Sequence, residues 1–83
     1  MNTEESYLNE LLELLLTKKD KTQMKKALQG LLTPAELAEV PKRLQIFKML
    51  KAGIPQREIA KQLGVGIATV TRGSRELKSG NIE

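Results

Sequence analysis

The sequence contains no cysteine and no histidine. Without cysteine there are neither disulfides nor thiolate metal ligands. Without histidine the commonest general base and imidazole ligand is missing too. An enzyme of this composition would have to work with carboxylates, lysines and hydroxyls alone, so none is expected, and no metal site either. Tryptophan is absent, and Tyr7 and Phe47 are the only aromatic residues. An aliphatic core in a chain of 83 residues is short of burial, and pairing with a second copy is the simplest way to extend it. No apolar run reaches the roughly eighteen residues of a membrane span. The start, MNTEESY, is acidic and unlike a secretory leader. The chain is therefore expected in the cytoplasm, with no membrane partner.

What is present is unevenly charged. The net charge is +4, but residues 1–16 hold Glu4, Glu5, Glu10 and Glu13 with no basic residue among them. Residues 17–51 hold nine Lys or Arg against Asp20, Glu36 and Glu39. That gradient suits a protein that turns a basic side toward a polyanion. For residues 18–26 alone, a solvated lysine face explains the pattern equally well.

Helical spacing runs through the chain. Thr3 or Ser6 is placed to cap a first helix, with Glu4 and Glu5 near its positive end. Leu8, Leu11, Leu12, Leu15 and Leu16 recur at helical intervals and Leu14 widens the stripe. A helix so rich in leucine calls for a partner of its own kind or a core to cover it. Lys18-Lys19-Asp20-Lys21 reads as a polar linker, and 22–29 as a short helix with Met24, Ala27 and Leu28, ended by Gly30. Thr33-Pro34-Ala35-Glu36 is a strong start signal: a capping hydroxyl, proline at the first helical position, and glutamate three residues after the cap. This third helix should run to about Ala52 and stop at Gly53. Leu37, Val40, Leu44, Phe47 and Leu50 are its expected buried stripe, with Ile46 and Met49 beside it. Pro41 predicts a kink or restart there without a long loop. The last helix is expected to close at Lys78-Ser79-Gly80-Asn81.

Residues 55–74, PQREIAKQLGVGIATVTRGS, carry the functional information. They read as two short helices joined by a tight turn at Gly64, with Ala60 for close helix contact and Val70 for the core. This is the pattern of a helix-turn-helix, which sets its second helix in the DNA major groove. Gly66, Ile67, Ala68 and Thr69 give that helix a slim leading edge. Ile67 and Ala68 suit thymine methyls, and Thr69 a base or phosphate. Gln56 and Arg57 lie where a phosphate or the groove edge is gripped, and Thr71 and Lys78 are further phosphate candidates.

One position breaks the pattern. Three residues after Val70 most such motifs place a bulky aliphatic, whereas this chain has Gly73. A mid-helix glycine costs about 1 kcal/mol against alanine. Two explanations stand. Gly73 leaves a gap which, beside Arg72 and Arg43, suits a small carboxylate with a flat apolar body. Alternatively, Gly73 allows two helices to pack closely.

From Leu32 to Lys78, LTPAELAEVPKRLQIFKMLKAGIPQREIAKQLGVGIATVTRGSRELK resembles the Trp repressor family, the tryptophan-dependent repressors of bacterial tryptophan biosynthesis. LTP-x-E, QRE and GIAT-x-TRGS-x-x-LK carry the likeness, over a little more than half the chain. The resemblance implies an all-α helix-turn-helix fold of about five helices and an intertwined homodimer. Such a dimer binds double-stranded palindromic operator DNA with L-tryptophan as corepressor and no other cofactor. It further implies that Arg43 holds the ligand carboxylate and Arg72 packs on the indole. Thr33 would reach the carboxylate from the other subunit, and Gly73 would line the pocket. Gln56, Arg57, Gly66, Ile67, Ala68, Thr69, Thr71 and Lys78 would fall on the DNA-facing surface.

The chain departs from the family pattern at four places. It is expected to lack the family's last helix, since it stops at Glu83. Glu76 stands where the family has a small residue near the ligand's ammonium, to pair with it or to obstruct it. Pro41 interrupts the helix carrying Arg43, and the link before Pro55 is one residue shorter. The expected organisation is a single domain over residues 1–83. Within it, 1–30 form dimerisation helices, 33–53 the central helix and 54–80 the helix-turn-helix. Two other functions compete with a tryptophan-gated repressor. One is a DNA-binding dimer that needs no ligand or a different one, and the other is a helical module that binds a protein partner.

Overall fold

The computed structural model describes residues 3–80. All regular structure among them is helical: α1 (Glu4–Leu16), α2 (Lys21–Leu31), α3 (Pro34–Lys51), α4 (Gln56–Leu63) and α5 (Ile67–Lys78). The all-α fold of five helices expected from the sequence is present. The chain divides into two compact units, Met1–Leu37 and Ala38–Glu83.

In the first unit, Thr3 caps α1, its hydroxyl accepting from the Ser6 N–H at 3.1 Å. Glu4 and Glu5 occupy the first turn, where their charge meets the positive end of the helix. No residue of α1 is buried, and Tyr7, Leu8, Leu12, Leu14 and Leu16 are all exposed.

The segment read as a linker is more ordered than expected. Asp20 is the N-cap of α2 and accepts from Gln23 N–H at 2.9 Å, while Gln23 Oε1 accepts from Lys19 N–H at 3.1 Å. This is a capping box in which the glutamine reaches one residue further back than usual. Gly30 does not end α2, which continues to Leu31. Gly30 is not among the glycines with positive φ, so it offers no left-handed turn there. The helix stops because Leu32 turns extended (φ −106°, ψ 147°), ahead of a Thr33 that the following proline holds out of the helical region. Thr33 then caps α3 reciprocally: its hydroxyl accepts from Glu36 N–H at 3.2 Å, and Glu36 Oε1 accepts from Thr33 N–H at 2.9 Å.

Helix α3 is continuous through Pro41, so the chain makes no restart there. Pro41 has no N–H to give the Leu37 carbonyl, and Leu37 is where the division between the units falls. Every residue from 38 to 45 is exposed. Of the expected stripe, Leu37 is half-buried, while Val40 and Leu44 are 46% and 55% exposed in the single chain. In the second half Ile46 takes the central place, while Phe47, Met49 and Leu50 are half-buried.

The second unit is built around Ile46, Ile59 and Val70, each no more than 2% exposed, with Met49, Leu50, Ile54, Ala60, Leu63 and Val65 against them. Two glycines shape it. Gly53 (φ +81°) ends α3 where expected. Its N–H donates to the Leu50 carbonyl while Ile54 N–H donates to Met49, the double bond of a Schellman turn. Gly64 (φ +66°, ψ 37°) ends α4 in the left-handed region, and Val65 N–H donates back to the Ala60 carbonyl at 3.1 Å. The last helix closes at Ser79 and Gly80, the latter with φ +83°. Asn81, expected with them, lies outside the described residues.

Candidate nucleic-acid interface and adjoining pocket

The left-handed Gly64 turns the chain sharply between α4 and α5, and Val70 and Ile59 lock the two helices together from inside. What remains outside is the start of α5. Gly66 is its N-cap and, lacking a side chain, leaves the first backbone N–H groups without a side-chain cap. Ile67, Ala68 and Thr69 follow, all exposed, Ile67 to 49%. A 12-residue helix thus presents a small-residue tip with open donors.

Gln56 and Thr71 are brought together. The Thr71 hydroxyl donates to Gln56 Oε1 at 2.9 Å and lies 3.0 Å from the Ile67 carbonyl, so one proton is shared between two acceptors. This bond joins the first turn of α4 to α5, and the Gln56 amide NH2 retains its two donors. Arg57, next to Gln56, is exposed. Ile67, Thr71 and Lys78 recur at helical intervals and share a face of α5. Lys78 nevertheless stands about 16 Å along the axis from Ile67, at 1.5 Å per residue. It is thus at the far end of that face, apart from the tip. Arg75 is exposed on the same face, four residues after Thr71 and three before Lys78. Sequence reading passed over it, although its i+4 spacing from Thr71 was the available signal.

Beside this surface, α3 and α5 flank a pocket, open to solvent on one side, of about 170 Å3, lined by Arg43, Ile46, Phe47, Thr69, Arg72, Gly73 and Glu76. Arg43, Arg72 and Gly73, singled out from sequence, thus meet at one place. Arg43 also approaches Glu39 at 3.9 Å, with both side chains more than half exposed. A water-screened pair of that kind adds little stability. Gly73 is buried, and a Cβ there would sit 2.8 Å from Ile46 Cγ2, with Phe47 Cε1 at 3.7 Å and Leu50 Cδ1 at 3.8 Å. The space directly over Gly73 is therefore filled by Ile46, and the cavity opens alongside it. Thr33 belongs to the other unit, where its hydroxyl caps α3. A wider cleft of about 330 Å3 borders the Gly64–Gly66 turn, and Arg43, Ile46 and Thr69 line both spaces. Thr69 therefore stands on the wall of the pocket as well as at the exposed tip.

The profile of the family described as Trp repressor protein matches residues 6–83. The chain belongs to that family. Trp repressors are regulators and not enzymes. The chain is similar to the Trp operon repressor homolog of Vibrio campbellii, 44% identical over 71 residues, covering 84% of this chain and 71% of that protein. It is also similar to the homolog of Vibrio atlanticus, 38% identical over 82 residues, covering 95% and 84%. The homolog of Xylella fastidiosa is 36% identical over 85 residues, covering 100% and 90%. No solved structure matches the chain significantly. Like the helix-turn-helix pair, the pocket falls within the segment that the Trp repressor profile covers. Among the described residues no helix is long and apolar enough to cross a membrane.

Proposed function

We propose that this chain is a cytoplasmic, sequence-specific DNA-binding repressor that acts as a homodimer and takes L-tryptophan as corepressor. The observation that carries the proposal is the exposed, uncapped tip of α5, with Ile67, Ala68 and Thr69 held against α4 around a left-handed Gly64. Such a tip enters a major groove without side chains holding it off the bases. Ile67 and Ala68 meet thymine methyls there, and Thr69 bonds to a base or phosphate. Gln56, Arg57, Thr71 and Lys78 hold the flanking phosphates, and Gly66 lets the backbone approach. Two recognition helices in a dimer would then read successive grooves about 34 Å apart, a spacing known for the Trp repressor itself among other helix-turn-helix dimers.

Exposed apolar side chains support pairing. Tyr7, Leu8, Leu12, Leu14 and Leu16 on α1, and Val40 and Leu44 on α3, are uncovered. Full burial of each leucine is worth about 1.5–3 kcal/mol, so covering even a few stabilises a dimer substantially.

The corepressor would sit in the cavity between α3 and α5. Arg43 would hold its carboxylate, Arg72 would pack on the indole, and Gly73 would form part of the wall. At about 170 Å3 the cavity is near the size of an engineered one, roughly 150 Å3, that accepts benzene. An indole with its amino-acid arm needs more, and the partner subunit's Thr33 would complete the site. The ligand acts only if it binds the DNA-competent orientation better than the alternative, since equal affinity shifts nothing.

A second version is favoured by one observation. Ile46 packs over Gly73, which accounts for the glycine without any ligand, so the dimer would bind DNA unassisted. One experiment separates the two. Duplexes are selected from a random library, and the enriched site is titrated by fluorescence anisotropy with and without 1 mM L-tryptophan, a concentration on the order of weak ligand affinities. The corepressor proposal expects a palindrome bound at least about tenfold more tightly with tryptophan. Equal binding in both conditions leaves the ligand-independent dimer. Absence of any selected duplex at low salt removes DNA binding and leaves a protein-interaction module.

A further inference from the structure

We infer that Lys42, on α3, is a further DNA contact: it holds the phosphate backbone that runs along the flank of α5 away from Gln56. This rests on the DNA-binding reading proposed above. A recognition helix about 10–12 Å across fills a major groove about 12 Å wide, so a phosphate backbone passes along each of its flanks. The residues assigned above to phosphates serve one flank. At about 100° per residue, Thr71 and Lys78 lie within about 40° of Ile67 around the axis of α5, and Gln56 is bonded to Thr71. Thr69 lies about 160–200° from Ile67, Thr71 and Lys78, on the opposite flank.

The cleft of about 330 Å3 occupies that opposite flank. Glu39, Lys42 and Arg43 line it from α3, and Gly64, Gly66 and Thr69 from the turn and α5, all within the second unit. A Cβ added at Gly64 or Gly66 would meet nothing within 4 Å, so this wall is bare main chain that a nucleic-acid backbone can approach. Of the three charged side chains, Glu39 and Arg43 approach each other at 3.9 Å, which offsets the carboxylate. Lys42 is exposed, and among the described residues no ion pair involves it. It does not line the smaller pocket with Arg43 and Arg72, so it serves none of the corepressor contacts proposed above. Lysine is a compact point charge on a flexible stem, and it suits a phosphate whatever the neighbouring bases.

Fluorescence anisotropy with the full chain and the selected duplex tests this, with L-tryptophan at about 1 mM throughout so that the corepressor question does not enter. Each phosphate contact contributes about 0.9 to the slope of log affinity against log salt. Between 50 and 200 mM salt the fall in affinity should be about 3.5-fold smaller for each lysine removed, and about twelvefold smaller for Lys42→Ala in both subunits of a dimer. Lys42→Arg should keep the wild-type slope. The loss should be the same for the selected duplex and for one with a single base pair exchanged. A merely structural role would lower the active fraction and leave the slope alone, and circular dichroism checks the fold; should Lys42→Ala not fold, Lys42→Gln carries the same expectation. A wild-type slope in Lys42→Ala, or a loss confined to one duplex, overturns the inference and leaves the DNA-binding proposal standing. Failure of wild type to bind any duplex at low salt ends the DNA-binding proposal and this inference with it.

Discussion

Gly73→Ala sets two known effects against each other. Alanine in a helix interior is worth about 1 kcal/mol more than glycine, so helix propensity alone forecasts stabilisation. The added Cβ, however, would lie 2.8 Å from Ile46 Cγ2, well inside the roughly 3.5–4.0 Å optimum for carbon atoms. Phe47 and Leu50, at 3.7 and 3.8 Å, are in ordinary contact and cost nothing. Whether Ile46 can yield decides the sign. It is 2% exposed, and a β-branched side chain in a helix has essentially one rotamer. Its Cγ2 is attached directly to Cβ and cannot swing aside without moving α3. Overpacking of this kind costs about 1–3 kcal/mol, so the net effect is a loss of about 0–2 kcal/mol where propensity predicts a gain of about 1. The assay is urea denaturation followed by circular dichroism at fixed protein concentration, since association shifts apparent stability. Ile46→Leu supplies the control, because leucine removes Cγ2 and keeps the volume at a cost below about 1.5 kcal/mol. In that background Gly73→Ala should recover the propensity gain of about 1 kcal/mol, a coupling of about 1–3 kcal/mol across the double-mutant cycle. A full gain from Gly73→Ala in wild type, or no coupling to Ile46→Leu, would refute the close packing of α3 on α5.

Gly64→Ala meets no neighbouring atom within 4 Å, yet its φ of +66° should cost about 1–2 kcal/mol of backbone strain, read as a lower denaturation midpoint with an unchanged m-value. Thr33→Ala breaks the capping box with Glu36 and should cost about 1 kcal/mol, measured the same way. Thr71→Val removes the hydroxyl that joins α5 to Gln56; DNA affinity in anisotropy titrations should fall about tenfold, roughly the worth of one hydrogen bond. Leu12→Asp on the exposed leucine face of α1 should shift the sedimentation equilibrium toward monomer, and an unchanged mass would count against pairing through that face.

The parts of the fold legible in sequence are those fixed by local chemistry. Thr33-Pro34-Ala35-Glu36 announces its helix because the cap closes within four residues, and Gly64 announces its turn because only the left-handed region fits between α4 and α5. Gly30 misled because a glycine marks a helix end only where φ turns positive, and here it does not. Asp20 was hidden among lysines, although Gln23 three residues later completes its box. The stripe on α3 is only partly covered in the single chain, for a non-local reason. Val40 and Leu44 have the right spacing, but within the second unit they lie outside the core formed by Ile46, Ile59 and Val70. At the candidate site, the convergence of Arg43 with Arg72 followed from placing α3 beneath α5. Which side chain fills the space over Gly73 did not, because Ile46 and Phe47 are adjacent in sequence and only packing selects between them.

The central claim is that the tip of α5 engages a polyanionic duplex, and the dependence of DNA affinity on salt tests it most directly. With six to ten phosphates contacted, affinity for the selected duplex should fall on the order of 10³–10⁵-fold between 50 and 200 mM salt. Thr69→Asp, which puts negative charge at the tip, should weaken binding at every salt concentration. An affinity indifferent to salt, or unchanged in Thr69→Asp, would contradict it.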